Sequence, residues 1–311
     1  MSIIKAVDVA YVRFSAPDLQ KQSGFLRDFG FTEVGTHNGV HYLRGMGTAP
    51  FCYVLEQGEP AFLGCGIWAR DLADLEAVAA HDGVPVEKIE GPGGGSRAVL
   101  TDPDGFKIEV VAGQDPAEPL SLETPTPWNE GNEHPRVAAF RRIPKRPARI
   151  LRLGHVVFGV TDFRASESWY KERFGLVTSD EIQPAPDVAI GAFLRCDRGD
   201  DPCDHHTLFL LQRPGAPASF MHAAFEVAGV DDLMAGHDYL AEAGHTPLWG
   251  VGRHVLGSQV FDYWLDPCGF ELEHWTDGDQ LKASDGGGVA SLEQLLSVQW
   301  GMKMPPLPQP I

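Results

Sequence analysis

One eight-residue motif occurs twice in this sequence. The pattern Asp-Pro-x-Gly-Phe-x-x-Glu occurs in "TDPDGFKIEVV", beginning at Asp102, and again in "LDPCGFELEHW", beginning at Asp266. Aligning the two aspartates places Glu109 over Glu273. Two further pairs recur in the same order, "YVRFSAPDL" with "HVVFGVTDF" and "FLGCGIWARDLADLEA" with "FMHAAFEVAGVDDLMA". One match could arise by chance, but three in the same order indicate an internal duplication.

Each half of the duplication divides again into two similar pieces. A piece opens with a β-branched run that predicts a buried strand, continues with an amphipathic helix and closes with further strands. In the second half, "FRASESWYKERF" predicts a helix that ends at Gly175, and "DPCG" predicts a turn between two strands. The recurring unit is βαβββ. We therefore predict an α+β fold in which tandem βαβββ modules pair into two cup-shaped barrel domains.

The region between the halves has a different composition. "GQDPAEPLSLETPTPWNEGNEHPR" is rich in Pro, Glu and Asn, and the basic stretch "RRIPKRPAR" follows it. This pattern predicts a linker, with the basic cluster as a surface or an ion-pair partner. We predict an N-terminal domain over residues 1–113, the linker over 114–149, a second domain over 150–276 and a C-terminal tail over 277–311. The end of the tail, "KMPPLPQPI", predicts an extended conformation.

Composition limits the classes of partner and the compartment. The formal net charge of −18 opposes sequence-independent binding to nucleic acid or to an anionic membrane. The five cysteines are odd in number and scattered, which favours a reducing, cytoplasmic location without disulfides or a structural zinc site. No signal peptide is apparent at the N-terminus, and no apolar run is long enough for a membrane span.

Three side chains of the second half occupy equivalent strands of the predicted modules. His155 and His222 lie on the two opening strands, and Glu273 lies on the last strand. Each residue alone has an ordinary structural explanation, as a core histidine or a solvated glutamate. Together, two imidazoles and one carboxylate form the facial triad of non-haem Fe(II) enzymes, with Mn(II) as second choice. Residue type alone does not exclude a tetrahedral Zn(II) site.

The first half repeats the frame without the imidazoles. Tyr11 stands where the second half has His155, and Gly64 stands where it has His222. Only Glu109 is retained, as the counterpart of Glu273. We therefore expect the second half alone to hold a metal.

The chain resembles a known family at these residues. Gly252-x-His254, then Tyr263, then Asp-Pro-x-Gly and Glu273 follow the signature of the two-domain, type I extradiol ring-cleaving catechol dioxygenases. These belong to the vicinal oxygen chelate superfamily, which also contains glyoxalases and bleomycin resistance proteins. "LGHVVFGV" and "FMHAAFEV" resemble the family's other two ligand strands. The chain departs from the signature at Asp262, where the family prefers an apolar residue.

The resemblance implies a role for each matching residue. Fe(II) would be held by His155, His222 and Glu273. In "CDHHTLFLL", His206 would be the acid–base near bound oxygen, because adjacent strand residues face opposite ways and only one of the pair reaches the cup.

Further positions follow from the same resemblance. His254 and Tyr263 would hydrogen-bond the substrate hydroxyls. His205 would lie at the rim or behind His206. Glu271 is expected at the rim, because the first half has a lysine at its place.

The implied function is cleavage of a catechol-type ring by O₂ to a ring-opened semialdehyde or acid, in aromatic compound degradation. The partners would be a catecholic small molecule and O₂, not nucleic acid or membrane, and a homo-oligomer is expected. Two alternatives stay open: another metalloenzyme of this superfamily, glyoxalase- or epimerase-like, or a metal-free small-molecule-binding protein. The sequence leaves open which catechol or trihydroxybenzene is cleaved, and on which side.

Overall fold

The computed structural model describes residues 2–123 and 126–303 of the 311-residue chain. The two halves of the chain form two large mixed sheets, each accompanied by two helices of 11–13 residues. The predicted extended segment at the C-terminus lies, from residue 304 onward, outside the described residues. Within those two ranges, no helix is both long and apolar enough to cross a membrane.

The first half forms an eight-stranded sheet. Its strands run in the spatial order β2-β3-β4-β1-β5-β8-β7-β6, and the pairs β1/β4 and β5/β8 are parallel. The elements are β1 (Asp8–Ala16), α1 (Leu19–Phe29), β2 (Thr32–His37), β3 (Val40–Arg44), β4 (Tyr53–Gln57), β5 (Ala61–Trp68), α2 (Leu72–Asp82), β6 (Val86–Lys88), β7 (Ser96–Thr101) and β8 (Lys107–Ala112).

The second half repeats this arrangement and adds strands at both edges. The elements are β9 (Ile150–Val160), α3 (Phe163–Phe174), β10 (Val177–Ile182), β11 (Gly191–Arg195), β12 (Cys203–Asp204), β13 (Leu208–Gln212), β14 (Ser219–Val227), α4 (Val230–Glu242), β15 (Thr246–His254), β16 (Val260–Leu265), β17 (Glu271–Thr276), β18 (Gln280–Leu281), a 3₁₀ turn (Ala283–Asp285), β19 (Gly288–Ala290), α5 (Leu292–Leu296) and β20 (Val298–Gly301). The ten-stranded sheet has the order β19-β10-β11-β13-β9-β14-β17-β16-β15-β20.

The strand registers reproduce the duplication that the sequence predicts. In the first sheet, Gly66 of β5 lies between Tyr11 of β1 and Glu109 of β8. In the second sheet, the corresponding residue of β14 lies between His155 of β9 and Glu273 of β17. The two halves are therefore the same fold in the same register, and the predicted α+β architecture of paired modules is confirmed.

The opening helix of each half is delimited by the same local chemistry. The Asp18 side chain accepts a hydrogen bond from the first turn of α1, and Asp162 does the same for α3. Gly30 and Gly175 end these helices in the left-handed conformation, which a residue with a Cβ rarely adopts. The helix bounds are thus encoded by Asp and Gly at matching places.

The two halves share one hydrophobic core. Aromatic rings from both sheets interleave at their junction, with the Phe106 and Phe158 ring centroids 4.6 Å apart and those of Phe62 and Phe220 also 4.6 Å apart. Phe14 of the first half packs edge-on against Phe220 at 5.1 Å. Because these side chains belong to one buried cluster or pack against it, we expect the halves to unfold together.

The repeated aspartates bind the halves to each other. In both Asp-Pro-x-Gly turns, Oδ1 of the aspartate accepts two backbone N–H groups of its own turn. The second oxygen reaches across the junction: Asp102 Oδ2 accepts from Tyr170 Oη of α3 at 3.0 Å, and Asp266 Oδ2 accepts from Gln22 Nε2 of α1 at 2.6 Å. The repeated aspartate of the turn thus stabilises both the local shape of the turn and the contact between the two halves.

The basic cluster of the linker forms ion pairs, which was one of the two roles that the sequence predicted for it. Arg141 contacts Asp231, while Arg146 and Arg149 contact Asp232 at 2.6 and 2.5 Å. Both aspartates lie in the first turn of α4, where negative charge is favourable to the helix dipole. The end of the linker is therefore fastened to the second half.

We expect Gln22→Met to destabilise the protein, because this change leaves a buried oxygen of Asp266 without its donor. An unmet buried hydrogen bond of this kind costs about 1–3 kcal/mol. Urea unfolding followed by circular dichroism measures the loss. Lys21→Met, at the neighbouring exposed position, is the control and should change the free energy of unfolding by less than about 0.5 kcal/mol. Equal midpoints for the two variants would contradict this role of Gln22.

Candidate active site

Three strands of the second sheet bring together the predicted ligand side chains. His155 of β9, His222 of β14 and Glu273 of β17 each offer a ligand atom, and these atoms all lie within 4.8 Å of one another. His155 Nε2 is 3.2 Å and His222 Nε2 is 3.4 Å from the same carboxylate oxygen, Oε2 of Glu273. The three groups therefore point at one common position.

The chemistry of this trio fits a metal ion. Glu273 is fully buried, and neither of its oxygens has a hydrogen-bond partner among the described residues. A buried carboxylate without donors is costly unless a cation neutralises it. Two ligand atoms that lie about 2.1 Å from one ion, at right angles to each other, would be about 3.0 Å apart. The separations of the two histidine nitrogens from Glu273 Oε2, 3.2 and 3.4 Å, are close to this value. The arrangement suits an ion that is held by three ligands on one face.

The protonation states of the trio also favour a metal. Burial alone would raise the pKa of Glu273, but the imidazoles of His155, His222 and His254 hold that pKa well below its usual range. Burial lowers the pKa of His155, and Glu273 offsets part of this shift. An ionised carboxylate and a neutral imidazole are the forms that bind metal.

The first half neutralises its equivalent carboxylate in another way. Glu109 is fully buried, and Arg13 Nη1 contacts its Oε1. Arg97 Nη1 donates to Oε2 at 2.9 Å, and Tyr11 Oη donates to the same oxygen at 2.6 Å. Two guanidinium groups thus neutralise the carboxylate of the first half.

The backbone of the first half also opposes a second histidine. Gly64, the counterpart of His222, has φ +145°, and a Cβ there would lie 2.5 Å from the carbonyl oxygen of Lys107. A histidine at this position would therefore require the strand to move. The first half therefore has the same strands as the site, but its backbone leaves no space for the second histidine.

His206 lies beside the trio. Its ring centroid is 4.0 Å from that of His155 and 4.7 Å from that of Phe193. Burial holds the pKa of His206 well below its usual range, and the neighbouring His155 adds to this shift. His205 is not at the rim: it is equally buried, and its Nδ1 lies 3.1 Å from His206 Nδ1.

His254 and Tyr263 meet on the other side of the trio. His254 Nε2 is 3.1 Å from Tyr263 Oη and 3.8 Å from Glu273 Oε1. The His254 ring stacks on Phe261, with centroids 4.1 Å apart. A Cβ at Gly252 would lie 2.6 Å from the Phe261 ring, so the glycine of Gly-x-His makes room for the ring that orients the histidine.

Apolar side chains surround these polar groups. Phe193 and Phe209 stack with centroids 4.0 Å apart and belong to a buried cluster with Val157 and Ile182. Trp249 stacks on Tyr263 at 5.5 Å on the opposite side. These buried rings lower the local polarity around the site, which strengthens electrostatic interactions within it.

Three other polar residues of the second half have surroundings of their own. His274, next to Glu273, is buried on the opposite face and donates from Nε2 to the carbonyl of Phe29 at 2.7 Å. Asp262, the departure from the family signature, pairs with His237 of α4 at 3.0 Å. Glu271 is half-buried, and burial raises its pKa.

Sequence reasoning missed one polar member of the site's surroundings. Asp180 of β10 lies 2.8 Å from His205 Nε2 through its Oδ2. "VTSDEI" reads as an ordinary edge strand with polar residues. One signal could have found it: Asp180 is two residues before Ile182, so both side chains lie on the same face of the strand, and Ile182 belongs to a buried apolar cluster.

Comparisons with known proteins identify the family of the chain. The profile of the Glyoxalase/Bleomycin resistance protein/Dioxygenase superfamily matches residues 152–274. Metapyrocatechase 2 of Cupriavidus necator is 30% identical over 306 residues, which cover 96% of this chain and 89% of that protein. An iron-dependent extradiol dioxygenase of Rhodococcus jostii (strain RHA1) is 27% identical over 314 residues, covering 94% of this chain and 95% of that one.

A solved structure shows the same fold. The Mn(II)-bound glyoxalase from Novosphingobium aromaticivorans superposes with a TM-score of 0.78 at 21% sequence identity, covering 99% of this chain and 95% of that one. The two sequence matches extend over almost the whole chain, and they assign it to a family. The chain belongs to the extradiol ring-cleaving dioxygenases of the Glyoxalase/Bleomycin resistance protein/Dioxygenase superfamily.

Proposed function

We propose that the protein is an Fe(II)-dependent extradiol dioxygenase in which His155, His222 and Glu273 hold the iron. The substrate is a catechol-type aromatic ring, which O₂ opens to a semialdehyde or acid. The observation that carries this proposal is the buried Glu273 carboxylate, which two imidazole nitrogens face at 3.2 and 3.4 Å. Two nitrogens and one oxygen on one face leave the opposite side open for substrate and O₂.

Bound Fe(II) would supply a template on which catechol oxygens and O₂ meet, and a path for electrons between them. The chain supplies the hydrogen bonds that place the substrate. His254 and Tyr263 lie beside Glu273, and their polar atoms are within 3.1 Å of each other. One substrate hydroxyl bonded between them would be oriented by both, and the imidazole can hold the proton that this hydroxyl loses.

His206 supplies the second acid–base group, on the opposite side of the trio. It is buried against Phe193 and His155, so its ring is held in place. An imidazole at this position can accept a proton from the substrate and then give it to oxygen during ring cleavage. The stacked rings of Phe193 and Phe209 keep water away from this exchange.

The direct test is ring cleavage by iron-loaded protein. Purified protein is reconstituted anaerobically with Fe(II), mixed with each member of a panel of catechols and trihydroxybenzenes, and exposed to O₂. We expect equal consumption of substrate and O₂, with a yellow ring-opened product. No O₂ uptake with any member of the panel would overturn the proposal, and would favour the glyoxalase-like or binding-protein alternatives.

The duplication provides a matched pair of variants for the metal ligands. His155→Phe removes one imidazole from the trio, so iron content should fall from about one ion per chain to near zero. Tyr11→Phe changes the equivalent residue of the first half and should leave iron content unchanged. Metal analysis after gel filtration measures both. Full iron content in His155→Phe would contradict the ligand assignment.

His206→Gln should lower kcat about 10²–10⁴-fold, the range that a general acid–base contributes. Iron content should stay near that of the unchanged protein, because His206 is not in the trio. Steady-state O₂ uptake under saturating catechol measures the loss. His237→Gln is the control, since His237 pairs with Asp262 outside the site and should leave kcat within about twofold. A His206→Gln variant with normal kcat would remove His206 from the mechanism.

A further inference from the structure

Behind His206 runs a chain of three side chains. Asp180 Oδ2 lies 2.8 Å from His205 Nε2, and His205 Nδ1 lies 3.1 Å from His206 Nδ1. Both imidazoles are buried, with 4% of each residue exposed. The chain therefore connects a carboxylate on β10 to the histidine that faces the trio, through a second histidine that touches neither substrate nor metal in the proposed function.

The surroundings are shaped to hold this chain in place. A Cβ at Gly288 of β19 would lie 2.2 Å from Asp180 Oδ1, and a Cβ at Gly257 would lie 3.0 Å from His205 Nδ1. The backbone of His205 is fixed on both sides: its N–H donates to Asp279 O at 2.9 Å, and its carbonyl accepts from Ser179 Oγ at 2.5 Å. Two glycines thus leave the space that the carboxylate and the first imidazole fill.

The direction of each hydrogen bond follows from what each group can donate. A carboxylate only accepts, so His205 Nε2 carries the proton that it shares with Asp180. In an uncharged imidazole one ring nitrogen donates and the other accepts, so an Nε2 that donates to Asp180 leaves Nδ1 of His205 as an acceptor. His206 Nδ1 must then donate to it, which leaves the lone pair of His206 on Nε2.

We propose that Asp180 and His205 are positioning residues that hold His206 as the Nδ1–H tautomer and direct the lone pair of Nε2 into the active site. The kinetic part of this inference rests on the proposed function, in which His206 is the acid–base. The part that concerns the tautomer stands on the three side chains alone. Such outer partners of a site commonly contribute 10–100-fold to activity.

The tautomer can be read directly. Long-range ¹H–¹⁵N spectra of ¹⁵N-histidine-labelled protein loaded with Zn(II), which is diamagnetic, distinguish protonated from unprotonated ring nitrogens. We expect protonated Nδ1 and unprotonated Nε2 for His206, with the peaks assigned by the His206→Gln variant. A protonated Nε2 with unprotonated Nδ1 would overturn the proposal. The spectrum does not depend on turnover, so protein that cleaves no catechol would overturn only the proposed function.

Substitutions separate the hydrogen-bond chain from packing. In His205→Gln, the amide oxygen can accept from His206 and the amide nitrogen can donate to Asp180, so the tautomer and kcat should be retained within about threefold. His205→Leu keeps the bulk without the hydrogen bonds, and Asp180→Asn removes the obligate acceptor. Both should mix the two tautomers of His206 and lower kcat 10–100-fold, with KM and metal content nearly unchanged.

Asp28→Asn is the matched control, because Asp28 bonds to His245 at 2.8 Å in a carboxylate–imidazole pair away from the site. It should change neither the His206 spectrum nor kcat. An Asp180→Asn variant with the spectrum and the kcat of the unchanged protein would overturn the proposal. So would a His205→Gln variant as impaired as His205→Leu.

Discussion

A carboxylate at the centre of each sheet has to be neutralised, and this requirement shapes both halves of the molecule. Glu109 and Glu273 are fully buried at equivalent places in the two sheets. The first half surrounds its carboxylate with the guanidinium groups of Arg13 and Arg97 and with the Tyr11 hydroxyl. The second half surrounds it with imidazoles instead of guanidinium groups, and neither Glu273 oxygen has a hydrogen-bond partner among the described residues. A cation held by this trio would neutralise Glu273, and the proposed chemistry therefore belongs to the second half.

The repeated turn before each glutamate connects this requirement to the stability of the whole chain. The aspartate of the turn closes the turn with one oxygen and reaches a helix of the other half with the second. The strand that carries the glutamate is therefore anchored to both halves. Interleaved phenylalanines fill the space between the two contacts. The first half thus acts as a scaffold for the second half.

The sequence alone predicted the features that occur in both copies of the duplication. It missed hydrogen bonds between residues that are distant in the chain and lack a second copy. The fold and the registers of His155, His222 and Glu273 follow from matching segments, because equal registers in two copies place equivalent side chains together. The pairing of Asp180 with His205 has no such signal, since 25 residues separate them and no copy exists in the first half. His237 illustrates the same limit: it lies on α4, and its partner Asp262 lies on β16, 25 residues further along the chain.

The segment after β17 is the largest feature without a counterpart in the first half. Sequence analysis treated it as a tail, yet its three short strands pair with β10, β12 and β15, which carry or adjoin Asp180, His205 and His254. The fully buried Arg195 donates to two carbonyl groups of this segment, and Gln299 donates to the carbonyl of His254 at 2.9 Å. The segment contributes no side chain to the proposed chemistry. By backbone pairing it holds the polar groups on both sides of the trio, so the positions of His206 and His254 depend on residues that a search for catalytic motifs would pass over.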